Sequence, residues 1–164
     1  MVIVRKEKFN SEKSIQYISD KAEKTENKSG MEDLKLGAAI DIGTTSIAVG
    51  LFDMENEILL GNLTQTNCQT KFGSDVMMRI MHCTNGKEQL LHDMMIEQIE
   101  NIITVIIEQN ISEKYKAYVV ERMTVVGNTT MCHIFLNRDV TGLSGAPFSM
   151  AYKGIANVNS QEVG

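Results

Sequence analysis

The stretch that decides the fold is Ala39-Ile40-Asp41-Ile42-Gly43-Thr44-Thr45-Ser46. It closes an apolar run that starts at Leu36, has the length of one buried strand, and stops at a carboxylate and a glycine. Behind Thr44-Thr45 a second strand is predicted over Ser46–Phe52, because Ile47, Val49 and Leu51 alternate with small residues and therefore share one face. Asp53-Met54-Glu55-Asn56 supplies turn chemistry, and Glu57–Thr64 reads as a third strand. The three form an antiparallel meander.

Beyond the meander the hydrophobic period changes from two to about 3.6. A first helix is expected from Ser74 or Asp75 to His82, with Val76, Met77, Ile80 and Met81 on one face and Gly86 breaking it; Asp75 and Arg79, four apart, are placed to pair. A second, from about Lys87 to Gln109, sets Leu91, Met94, Met95, Ile99, Ile102, Ile103 and Ile106 at steps of three and four, with methionines as core filler. A fourth strand over Glu121–Val126 ends at Gly127-Asn128-Thr129-Thr130, where a short helix begins. The order β-β-β-α-α-β-α makes this an α/β chain.

Two strand ends carry the chemistry. At the first, Gly43 lets the backbone turn tightly and approach a ligand, and the amides and hydroxyls of Thr44, Thr45 and Ser46 can donate to phosphate oxygens. Asp41 could hold a magnesium ion through water, since Mg²⁺ keeps several waters and favours carboxylate and phosphate partners. The competing reading is that Asp41 caps a turn and the threonines satisfy hairpin hydrogen bonds. At the second, Gly127, Asn128, Thr129 and Thr130 repeat the logic of a strand ending before a helix, in the position of a cleft at the carboxyl ends of strands. Here the competing reading is a plain helix N-cap. Cys132 and His133 are adjacent and so diverge on a helix, which fits a packed thiol and a surface imidazole better than a metal site. Asn67–Asp75, taken alone, is a polar linker. No arrangement of residues identifies a catalytic nucleophile or base.

Working outward, residues 1–30 hold seven basic and five acidic residues, leaving nine basic against sixteen acidic for the remainder. The break divides the 164-residue chain into a charged arm over 1–33, mobile and with at most a short helix around Ile15, Tyr17 and Ile18, a lobe over 34–150, and a continuation over 151–164. A net charge of −5 gives no electrostatic footprint for nucleic acid. No run approaches the roughly 18 apolar residues of a membrane span, and the apolar start Val2-Ile3-Val4 is too short for a secretory leader, so the reading places the chain in the cytoplasm. Cys68, Cys83 and Cys132 are scattered and read as reduced thiols, without the spacing of an iron–sulfur or zinc site.

The Asp41–Ser46 loop resembles the first phosphate loop of the actin-like, sugar-kinase and heat-shock-chaperone ATPase superfamily, whose form is D-x-G-T-T-S. Three further blocks, Phe72–Ile80, Val125–Leu136 and Gly145–Phe148, look like the ATPase domain of the reductive activators of corrinoid proteins; together the likeness covers about residues 35–150. The resemblance implies a ribonuclease-H-like actin-type lobe with a mixed sheet, ATP and magnesium as cofactors, phosphate contacts at Asp41 and Thr44-Thr45, and the Asn128 turn lining the cleft. It also implies a corrinoid protein as partner, returned from Co(II) to Co(I) by an ATP-driven electron transfer.

The chain departs from the family in three places. No cysteine-ligated iron–sulfur domain precedes Leu34; a fifth strand and a second lobe are missing; and Cys68 stands where the family tends to have proline. The expectation is therefore a first lobe with little turnover of its own, its missing parts absent or on another chain, and a fourth strand left as an unpaired edge that invites association. A sugar- or acid-kinase-like phosphotransferase fragment and a non-catalytic module docking a corrinoid protein are the alternatives.

Overall fold

The computed structural model describes residues 2–5, 34–110, 118–150, 155–159 and 163. Its centre is the expected meander: β2 (Leu34–Ile42), β3 (Ser46–Asp53) and β4 (Ile58–Thr66), with β1 being Val2–Arg5. Helices α1 (Val76–His82) and α2 (Glu88–Asn110) lead to β5 (Tyr118–Gly127), α3 (Thr129–Phe135) and β6 (Ala156–Asn159). The sheet order is β4-β3-β2-β5-β1-β6. β2 and β5 run parallel, which the crossover through α1 and α2 allows, and both end at the same edge with Ile42 opposite Gly127.

One face of the sheet is apolar. Leu36, Ile40, Ile42, Ile47 and Leu51 are fully buried, and α2 packs on β3 and β4 through Leu91, Met95, Ile102 and Ile106. Each such side chain contributes about 1.5–3 kcal/mol of burial. On the other face of β2, Lys35, Ala39 and Asp41 are exposed. No helix among the described residues is long and apolar enough to cross a membrane.

Three expectations change. The charged arm is not uniformly free: Val2–Arg5 forms β1, antiparallel to β5 and parallel to β6. The position beyond β5 is therefore filled, so β5 is not the open edge that predicted dimers or aggregation; the four-residue strand Val2–Arg5 finds its backbone partners more than a hundred residues away. Residues 156–159, within the unpatterned continuation, supply the outer strand. The short helix expected around Ile15 lies outside the described residues.

In α1 the apolar stripe is only partly right. Ile80 is buried, but Met77 and Met81 are exposed and Arg79 takes the inward position. Asp75 does not pair with Arg79; it caps α1 by accepting from the Met78 amide at 2.9 Å. Gly86, at φ 80°, breaks the helix as expected, inside a wide turn over Cys83–Lys87.

Cys83 gives the core a pH dependence. Burial, reinforced by the Glu88 carboxylate, pushes its thiol up to about 11. The folded chain thus holds this proton to higher pH than the unfolded chain does, so the contribution is intact below the ordinary thiol range and is lost as pH rises toward about 11. Urea midpoints should fall across that interval with a slope of at most about 1.4 kcal/mol per pH unit from this group. In Cys83→Ala the fall should be shallower; an unchanged slope would remove Cys83 from the account.

Candidate functional site

The parallel pair β2 and β5 brings both predicted strand ends together. Asp41, opposite Ala48 on one side and Val126 on the other, is exposed, and its carboxylate has no hydrogen bond among the described residues. It therefore does not cap the turn. Two residues later the Gly43 amide donates to the Ser46 carbonyl at 2.8 Å, closing a turn whose tip is Thr44-Thr45. A Cβ on Gly43 would stand 2.8 Å from that same oxygen, so the turn needs glycine.

Asn128 joins the second loop to the first. Its Oδ1 accepts from the Met131 amide at 3.0 Å, capping α3, and its Nδ2 donates to Thr44 Oγ1 at 3.0 Å. One side chain thus caps α3 and reaches the first loop. Gly127 makes the approach possible, since a Cβ there would lie 2.7 Å from the Ile42 carbonyl. Gly127, Asn128 and Thr129 are exposed, as are Thr45 and Ser46, while Thr130 is buried.

The loop is organised from behind by residues that the sequence reading passed over. Asn67, fully buried, donates from its backbone amide to the Thr45 carbonyl at 2.8 Å and from Nδ2 to the Gly43 carbonyl at 2.8 Å, while its Oδ1 accepts from the Gln69 amide at 2.9 Å. Arg79, also fully buried, donates from Nη2 to the Thr44 carbonyl at 3.3 Å and from Nη1 to the Gly73 carbonyl. Three consecutive carbonyls, Gly43, Thr44 and Thr45, are thus each held by Asn67 or Arg79. The Thr44 and Thr45 amides find no acceptor among the described residues. Gln98 on α2 fixes the supporting segment, accepting from the Cys68 amide and donating to the Thr66 carbonyl, both at 2.8 Å. The segment read as a linker is a buttress. Its signal was present in the buried polar residues just before an amphipathic helix, but nothing local says which loop they serve.

His133 is also corrected: it is fully buried, with Nδ1 2.7 Å from the Thr129 carbonyl, because the seven-residue α3 is covered on nearly every side. Cys132 is the packed thiol expected. No three of His, Cys, Asp and Glu converge as a metal site among the described residues.

Fold and site together define a mixed α/β lobe whose two parallel strand ends bring a glycine-threonine loop beside a carboxylate that has no hydrogen bond among the described residues. The sequence model described as RACo middle region matches residues 36–164, and the chain belongs to that family. It is similar to the corrinoid activation enzyme RamQ of Eubacterium limosum, 34% identical over 114 residues, which make up 68% of this chain and 19% of that one. Among solved structures it resembles a reductive activator for corrinoid, iron–sulfur protein, with a TM-score of 0.64 and 30% identity, over 77% of this chain and 20% of that one. The chain thus spans about a fifth of the length of the relatives it matches.

Proposed function

We propose that this chain is the nucleotide-phosphate lobe of an ATP-dependent activator that supports reduction of an inactive Co(II) corrinoid protein to Co(I). The lobe is of the actin-like, sugar-kinase and heat-shock-chaperone ATPase type and forms one wall of the nucleotide site. The observation that carries the reading is the 3.0 Å hydrogen bond from Asn128 to Thr44, which makes one site of the β2 and β5 ends. Outward amides and hydroxyls at Thr44 and Thr45 suit phosphate oxygens.

Asp41 fits magnesium held through water: it is an exposed carboxylate at the mouth of the loop, with its lone pairs free of protein donors among the described residues. Asp41 would hold the ion through water, and the ion's charge would offset the repulsion between this carboxylate and phosphate. In the whole protein, ATP bound between two lobes would change their relation, and one electron from the iron–sulfur donor would convert Co(II) to Co(I). This lobe's part is to grip the phosphates. No side chain among the described residues is assigned as the base for an attacking water, so hydrolysis by the chain alone is expected to be negligible.

Equilibrium dialysis with MgATP tests this directly. Wild-type chain should bind weakly and lose affinity when magnesium is chelated. Asp41→Ala should lower MgATP affinity at least about tenfold and abolish the magnesium dependence, the scale of one charge-assisted contact. Binding that ignores both magnesium and Asp41 would refute the assignment.

A further inference from the structure

Arg79 is a buried cation with no buried anion. It is fully buried on α1, yet makes no ion pair among the described residues, and its Nε has no hydrogen-bond partner there. The nearest carboxylate in sequence, Asp75, is spent on the cap of α1. Two carbonyls are its partners, Gly73 and Thr44, and the second belongs to the turn that faces the cleft. Burying an uncompensated guanidinium is costly, and two neutral acceptors return only part of that cost. Burial also holds its pKa below the ordinary arginine value, with the Asp75 charge opposing; arginine stays charged at neutral pH even so.

The Thr44–Thr45 peptide is trans, so its carbonyl and its amide point to opposite sides. With the carbonyl drawn back to Arg79, the Thr45 N–H points away from Arg79, toward the side where the phosphates are proposed to bind. We propose that Arg79 is the positioning residue of the loop: it fixes the direction of the Thr45 amide from behind, and its unmatched charge selects an occupant with several negative charges on the front. This rests on the phosphate-binding reading above. The countercharge for Arg79 is then the ligand, reached through one peptide unit, and affinity should depend on the charge at position 79 as well as on its shape.

The test uses the full chain, with magnesium tripolyphosphate and adenosine as probes. Arg79→Met should weaken tripolyphosphate binding about tenfold or more, while Arg79→Lys, which keeps the charge and loses the fork, should stay within about threefold of wild type. Adenosine binding should respond to neither. A purely structural strap would make both variants fall together.

A second readout needs no stable methionine variant. In the wild type the Arg79 Nε–H nuclear magnetic resonance signal should move along the same saturation curve as the Thr44 and Thr45 amides. Equal losses in Lys and Met variants, or a silent Arg79 signal while those amides saturate, would overturn the role of Arg79 alone. Absence of any saturable tripolyphosphate binding by wild type would overturn the phosphate reading and this inference with it.

Discussion

Replacing Asn67 by alanine is expected to cost about 2–5 kcal/mol of stability and to scramble the strand-end loop. The side chain is fully buried and makes two bonds that alanine cannot, one to the Gly43 carbonyl and one from the Gln69 amide. Each leaves a polar backbone group stranded in the interior, at about 1–3 kcal/mol apiece. Asn67→Asp separates the two contributions. It keeps an acceptor for Gln69 but loses the donor to Gly43 and introduces a negative charge behind a loop read as anion-binding. It should therefore bind MgATP less well than its stability loss alone would explain. Urea unfolding of the two variants, followed by dialysis on whatever remains folded, checks this; a loss below about 0.5 kcal/mol for Asn67→Ala would show that the loop is held by other means.

Gly127→Ala should be comparably damaging for a different reason. The added Cβ would sit 2.7 Å from the Ile42 carbonyl oxygen, a backbone atom of the neighbouring parallel strand. No rotamer relieves that contact. β2 and β5 must part at their last pair, and the 3.0 Å bond from Asn128 to Thr44 spans the very gap that opens. Overpacking against backbone costs about 1–3 kcal/mol or more, so thermal unfolding should drop by several degrees for a domain of this size. Gly145→Ala, where a Cβ meets nothing within 4 Å, is the control and should stay within about 0.5 kcal/mol of wild type. If Gly127→Ala behaves like that control, the two strand ends are not held in mutual contact.

What the sequence disclosed and what it hid follow from the range of the forces involved. β2, β3 and β4 were legible because Ile47, Val49 and Leu51 repeat every two residues and bounded turns separate the strands. α2 was legible because its buried residues recur at three and four. Asp41 through Ser46 could be picked out because a carboxylate and hydroxyls crowd one strand end. That Asn128 would touch Thr44 was not a local property; it needed β5 to lie parallel beside β2.

Arg79, Asn67 and His133 were misread for the opposite reason. Polarity predicts exposure when only neighbours in sequence are considered, and these three are buried because backbone groups far along the chain, or one helical turn away, receive them. β1 was hidden because four residues carry too little pattern to announce a strand whose partner is β5.

The central claim is that the ends of β2 and β5 form one phosphate site. Titrating isotope-labelled chain with MgATP and following its amide resonances tests it most directly. The amides of Thr44 and Thr45 and the side-chain amide of Asn128 should shift together on one saturable curve, and Asp41→Ala should displace that curve to higher ligand concentration. Thr44 and Thr45 amides that stay unmoved while ATP binds elsewhere, or that never saturate, would contradict it.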